Sequence, residues 1–393
     1  SQKQFQMIHL QWKPVWKESI MMQKKGRRYF VDANYLAVPL AWLFFVLGGF
    51  YNMKKKFKVV GSLTWLERIV LIILPILVVI LAMGIGRMVI SPVEVLKSTF
   101  EKFGYDYSIN PQNEIVLWTI RFPRIILALL VGAGLSVAGC AFQSLFSNPL
   151  ATPDTLGVAS GTSFGAALGI LMGFSLIGIQ FSALLFGIIA VSLTYLSGTG
   201  KGHNMNTIVL AGIMIGSLFS ALVSFTKFVA DSESQLPAIT YWLMGSLSSA
   251  SYKTLMLGAP FIIVGIFVLY LLRWRLNILM LSEDEAKSSG TNIKLLRTIT
   301  IIAATMMTGS CVSMCGQVGW VGLIIPHMCR MKFGNNHLSL IPASISIGAV
   351  FMVIVDTIAR SLVATEIPIS ILTAIVGAPF FITLMRRSGG WQL

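Results

Sequence analysis

The chain has 393 residues, 55% of them hydrophobic and only 11% charged, and its mean hydropathy is +0.79. That exceeds the roughly 45–50% apolar content of a soluble domain, which excludes a water-soluble globule and implies many membrane spans. A formal net charge of +15 in so apolar a chain fits cytoplasmic loops and lipid headgroups, and no nucleic acid partner is expected.

Residues 1–60 form a basic N-terminal extension in which Lys24-Lys25-Gly26-Arg27-Arg28 and Lys54-Lys55-Lys56-Phe57-Lys58 flank the apolar run Leu36 to Phe50. About 15 residues fall short of the ~20 that a helix needs to cross, and basic clusters on both sides oppose a single crossing. An interfacial or re-entrant helix is therefore expected. Met53-Lys-Lys-Lys has the form of an inner-membrane protein's start, so residues 1–52 are expected to be an accessory extension or a start-site artefact.

Residues 61–393 read as the transmembrane domain. The first span, Ile69 to Gly86, follows the basic cluster, which puts that side in the cytoplasm. The polar segment Ser91 to Asn113 reads as an external loop or surface helix. Apolar runs follow at Ile125–Ser147, Thr155–Gly200, Asn204–Thr226 and Thr254–Leu272, the second long enough for two spans with a break near Gly173–Gly178. Thr298 to Cys329 divides at Gly316-Gln317-Val318-Gly319 into a full span and a short returning one, and Leu338–Val355 and Pro368–Met385 close the chain. The expectation is an all-α polytopic protein of about ten spans with both core ends cytoplasmic. Lys201, Arg273, Arg275, Arg330 and Lys332 then all fall inside.

The most polar stretch, Leu281 to Arg297, lies between two of these spans. Ser282 before Glu283, Asp284 and Glu285 is a helix start, because a hydroxyl cap and first-turn acids satisfy free amides and suit the dipole. Gly290 stops it, giving a helix of one to two turns, or else a loop that only needs to be polar. Gly157, Gly161, Gly165 and Gly169 recur every four residues and make a close-packing face. At Asn148-Pro149-Leu150 proline ends the second span and frees carbonyls that need a cavity or protein contact, as a gate would supply. Cys140, Cys311, Cys315 and Cys329 all sit in apolar runs, and His327 has no second histidine at ligand spacing, so neither a metal site nor a cofactor is expected. A nucleotide loop of the Gly-x-x-x-x-Gly-Lys-Ser/Thr type is missing from the sequence, so any work from ATP must come from a separate subunit.

Several segments together resemble the FecCD-type permease family, the membrane subunits of bacterial ATP-binding-cassette (ABC) importers for iron–siderophores, haem and vitamin B12. They are Arg121-Phe-Pro-Arg124, the run Phe142 to Gly157 around Asn148-Pro149-Leu150, Tyr241-Trp242-Leu-Met-Gly245, Gly316 to Arg330, Asp356-Thr-Ile-Ala-Arg360, Glu366-Ile-Pro368 and Gly377-Ala-Pro379-Phe380. The resemblance covers about residues 67–390 and implies a type II ABC importer-like permease. It would pair with a second permease subunit around a central pathway, with two cytoplasmic ATPase subunits and an extracytoplasmic substrate-binding protein.

Carried over residue by residue, the resemblance makes Arg121, Arg124 and Arg360 docking residues for glutamates of the binding protein. Interfacial snorkelling, with Asp356 pairing Arg360 at i, i+4, is the alternative. It makes Asn148, Pro149, Leu150, Met205 and Asn206 the cytoplasmic gate, although many relatives carry small hydroxyl residues at the last two positions. Ser282, Glu283, Asp284, Glu285, Ala286, Gly290 and Asn292 become the helix that contacts the ATPase. The implied cargo is an iron–siderophore or haem-type ligand, with a corrinoid as the alternative. A secondary transporter would need ionisable residues at mid-membrane, of which the spans are nearly free, and a membrane enzyme a catalytic cluster there, of which none is visible.

Overall fold

The structure is a computed structural model that describes residues 20–24, 27–31, 63–102, 104–105, 110–198, 205–281, 283–362 and 365–387. The chain divides into two compact units, Ser1–Lys56 and Phe57–Leu393. In the first unit β1 (Ile20–Lys24) pairs antiparallel with β2 (Arg27–Val31), Ile20 opposite Val31 and Lys24 opposite Arg27. This hairpin departs locally from an all-helical chain. Its signal is two short runs containing Ile, Tyr, Phe and Val on either side of a glycine-containing dipeptide. The interfacial helix expected over Leu36–Phe50 lies outside the described residues.

In the second unit every described element is helical. α1 (Trp65–Gly84) opens on a capping box in which Thr64 Oγ1 accepts from the Glu67 amide and the Glu67 carboxylate accepts from the Thr64 amide. Ser91 caps α2 (Pro92–Glu101), the expected surface helix. α3 (Pro111–Ile115) runs through a π turn, Val116–Arg121, straight into α4 (Phe122–Leu145). α5 (Val158–Leu171) and α6 (Leu176–Gly198) are the expected pair, separated by Gly173 at φ +69°. Then come α7 (Met205–Val229), α8 (Gln235–Leu243), α9 (Tyr252–Leu272), α10 (Glu283–Ser288), α11 (Ile293–Cys315), α12 (Val321–Phe333), α13 (His337–Ser361) and α14 (Ile369–Arg387).

The ten expected spans answer to α1, α4, α5, α6, α7, α9, α11, α12, α13 and α14. Seven of the described helices are long and apolar enough to cross a membrane unaided. α5 and α12, at 14 and 13 residues, rise only about 20 Å, less than the ~30 Å hydrocarbon layer. Each is preceded by non-α backbone, the 3-10 turn Pro153–Leu156 before α5 and the 316–320 loop before α12. Such backbone at membrane depth needs protein around it. Thr152, Asp154, Gln317 and Trp320 from the two segments indeed line one cavity of about 260 Å³.

Burial separates centre from periphery. In the apolar windows of α4, α11 and α13, 83%, 78% and 78% of residues are buried, against 22–28% in α1, α6, α7 and α9. α4 is the axis. A Cβ on Gly132 would overlap the Gly348 carbonyl of α13, and one on Gly139 would overlap the Gly322 carbonyl of α12. Gly161 and Gly165 of the expected stripe meet Ala190 and the Ser182 carbonyl of α6 in the same way, which makes the stripe a helix-packing face.

Candidate functional site

The two ends of α4 carry the polar side chains that the sequence singles out. At its first end Pro123 has no N–H to give, and the Phe122 amide reaches back five residues to the Leu117 carbonyl. The wide turn brings Arg121 to the end of α1, where its two terminal nitrogens donate to the carbonyl of Met83 and to that of Met88 in the loop beyond. From α13, Arg360 Nη2 donates to the Ala82 carbonyl at 2.6 Å. α1 has no basic residue in its own last turn, so these guanidiniums supply both the donors and the positive charge that a helix C-terminus lacks.

Arg124 completes the cluster, its Nε 2.8 Å from Asp356 Oδ1 and its Nη1 2.7 Å from Glu366 Oε1. The expected pairing of Asp356 with Arg360 is present but longer, 3.6 Å between Asp356 Oδ2 and Arg360 Nε, an ion pair without a hydrogen bond. Arg121, Arg124 and Arg360 are 4%, 7% and 6% exposed and Asp356 is 1% exposed. The structure thus gathers all three predicted arginines into one site and turns them inward, tying α1, α4, α13 and the Glu366 loop together. Three guanidiniums against two carboxylates leave one surplus positive charge. On the surface of the same end Glu114 pairs with Lys102 at 2.6 Å and holds that ammonium above its ordinary range.

At the other end of α4 the chain turns through Ser147, left-handed at φ +48° without being glycine. Asn148 Oδ1 accepts from the Leu150 amide at 2.9 Å, and Asn148, Pro149 and Leu150 are all exposed. Strain of this kind persists only where the surroundings enforce it. Just before the turn, the Ser144 hydroxyl is shared between the Cys140 carbonyl and His337 Nε2. His337 in turn presents its backbone N–H and Nδ1 to Asn277 Oδ1 at 3.0 and 2.9 Å, and Asn277 Nδ2 donates to Asn336 Oδ1 at 3.1 Å. Because Asn277 Oδ1 can only accept, Nδ1 carries the proton and Nε2 receives the Ser144 hydroxyl. Arg330 donates to Gln143 Oε1, and Gln143 Nε2 donates to the Gly322 carbonyl at 3.3 Å. A pocket of about 420 Å³ opens here, lined by Ser147, Pro149, Met280, His327 and Arg330 among others.

Asn277 and Met280 belong to the 3-10 turn Arg275–Met280 that leads towards α10. The side chains of Asn277, His337 and Ser144 therefore connect the approach to α10 with the Asn148 turn. Sequence reasoning weighed His327 and passed over His337. The readable signal was Asn335-Asn336 before it, a helix cap that buries the next ring; Asn277, 60 residues away, had no signal.

α10 itself is a single short helix with Ala286 buried and Asp284 and Glu285 exposed. Gly290 has φ +70° and open space around it, as a stop residue should. Asn292 caps α11, its Oδ1 accepting from the Leu295 amide at 3.0 Å. Ser282 and the side chain of Glu283 lie outside the described residues. Met205 and Asn206 open α7, and their side chains are likewise outside them; α7 packs through Gly212 on Thr155, just beyond the Asn148 turn. The four cysteines are buried with free thiols, and no group of three metal-ligating side chains occurs among the described residues.

The family model of the FecCD transport family matches residues 72–387. The chain is 41% identical over 319 residues to the molybdate import system permease protein MolB of Haemophilus influenzae, covering 81% of this chain and 94% of that one. It is 39% identical over 277 residues to a "probable iron chelatin transport system permease protein" of Helicobacter pylori, covering 70% and 84%. Among solved structures, one described as "An inward-facing conformation of a putative metal-chelate type ABC transporter" superposes with a TM-score of 0.74 at 39% identity, covering 81% of this chain and 98% of that one. The motifs that run from one end of α4 to the other thus sit in a match that spans most of the sequence, and the chain belongs to the FecCD transport family, as the permease subunit of an ABC importer.

Proposed function

We propose that this permease moves an iron–siderophore or haem-type ligand inward by alternating access, in a complex with a second permease subunit, two ATPase subunits and an extracytoplasmic binding protein. FecCD permeases are transport components and not enzymes, so hydrolysis belongs to the ATPase. The observation that carries the reading is the chain Asn277–His337–Ser144, which gives a displacement of α10 a buried polar route to the Asn148 turn. In this reading α10 contacts the ATPase on the cytoplasmic side. Asn148, Pro149 and Leu150, with Met205 and Asn206, form the inner gate. The arginine end faces outward, and its surplus positive charge attracts acidic groups on the binding protein while the clamp holds the docking surface in shape. Residues 1–52, within the basic extension 1–60, are an accessory segment, and 61–393 are the working permease.

Molybdate is a second reading, favoured by the 41% identity to a molybdate permease. Purifying the permease with the ATPase and binding protein encoded beside it decides between them. Iron or haem bound to the binding protein supports the first reading, and molybdenum supports the second. ATPase activity should rise when the loaded binding protein is added, whereas a lone chain that transports fully would overturn both. Binding-protein affinity should fall for Arg121→Gln and largely survive in Arg121→Lys; equal affinity in all three would refute a docking role for the charge.

A further inference from the structure

α1 and α9 both flank α13 without closing over it. Ser346 Oγ donates to the Leu71 carbonyl at 2.6 Å and pins α1 to α13, but the gap on the α9 side stays open as a groove of about 760 Å³, much larger than the cavities along α4. Its walls are apolar, with Leu71, Pro75, Ile345 and Ala349 along its length, and α1 and α9 are among the least buried spans. Two guanidiniums stand at one mouth, Arg68 from the first turn of α1 and Arg273 from the end of α9. Arg273 lies over the Tyr270 ring, 3.8 Å from its centroid. Neither arginine is paired with a carboxylate among the described residues, and the neighbouring Glu67 is tied into the α1 capping box. Trp65 and Trp274, 77% and 61% exposed, stand beside this mouth. Exposed tryptophans of this kind mark headgroup depth in a bilayer.

A basic mouth at headgroup depth above an apolar slot between spans has the chemistry of an anionic lipid site. We propose that one anionic phospholipid occupies the groove, its phosphate held between Arg68 and Arg273 and an acyl chain lying along Leu71, Pro75, Ile345 and Ala349. Guanidinium forks suit phosphate oxygens, and the Tyr270 ring beneath Arg273 keeps one fork aimed at the mouth. A lipid held there fills the gap between α1 and α9 and lets both lean on α13.

The test uses the full chain in nanodiscs of phosphatidylcholine containing a minor fraction of phosphatidylglycerol, released gently into detergent, with retained lipids counted by native mass spectrometry. One phosphatidylglycerol should be retained in preference to phosphatidylcholine. Arg68→Gln with Arg273→Gln should lower that preference about thirtyfold with an unchanged unfolding midpoint, since each basic residue at a lipid surface is worth roughly a factor of five. Ile345→Trp, which keeps both arginines but obstructs the slot, should abolish retention. Unchanged preference in the double variant, phosphatidylglycerol still bound in Ile345→Trp, displacement of the lipid by inorganic phosphate alone, or no lipid retained by the unaltered protein would each overturn the proposal.

Discussion

Arg124 and Ser144 stand on the same helix, about 30 Å apart along α4, and each joins it to α13, but with different kinds of bond. At the Arg124 end the join is ionic, with guanidiniums and carboxylates almost sealed from water. At the Ser144 end it consists mainly of a hydroxyl, an imidazole and side-chain amides. A buried ion pair that loses one partner leaves an uncompensated charge, at a cost of about 3–5 kcal/mol, whereas a neutral hydrogen bond contributes about 0.5–1.5 kcal/mol and can be exchanged for another. One end of α4 is therefore built to stay closed and the other to rearrange. An axis helix anchored at one end and adjustable at the other suits a permease that must open without coming apart.

The sharpest way to break this contrast is Arg124→Met. It should cost about 3–5 kcal/mol, because buried Asp356 keeps only its longer ion pair to Arg360 and Glu366 loses its partner, and it should lower the unfolding midpoint in detergent more than any change at the Ser144 end. A variant as stable as the parent would mean the ionic end is no anchor. Next in size is His337→Phe, which keeps the ring volume and removes the bonds to Asn277 and Ser144. A cost of about 1–3 kcal/mol is expected, with ATP hydrolysis retained and transport reduced several-fold. Parallel loss of both activities would point to a damaged fold instead of lost transmission.

Gly290→Val should have a smaller effect on stability, about 1–2 kcal/mol of backbone strain at φ +70°, because nothing packs on that residue. Its expected signature is again hydrolysis without uptake, and normal uptake would argue against α10 as the transmitting element. The smallest effect should come from removing residues 1–52. Transport by the properly inserted remainder should be unchanged, and its loss would show that the extension takes part.

Much of the helical layout was legible because span formation is local: an apolar run of sufficient length, broken by Gly173 or closed by Asn148-Pro149, needs no distant partner. The capped stop at Gly290 was legible for the same reason. The arginine cluster was legible as a motif but not as a geometry. An arginine at the end of a span reads as a group reaching for water or for a partner, and the carbonyls that receive Arg121 and Arg360 come from a separate helix, at Ala82 and Met83, and from the loop after it, at Met88. α8 and the hairpin of β1 and β2 escaped notice because short elements leave weak periodicity. His337 escaped because a lone histidine among apolar residues looks like packing until Asn277 is brought to it by the fold.

The π turn at Val116–Arg121 has a consequence for how the sequence can change. It amounts to one extra residue held within an otherwise regular helix, and each residue advances a helix by about 100°. Arg121 and Arg124 are spaced to share a face in a regular helix, yet one reaches α1 and the other α13. Deleting a single residue from 116–121 would shift the phase of α3 against α4 and redirect the connection to α1. Length in this segment is thus as strictly set as the identity of the arginines themselves.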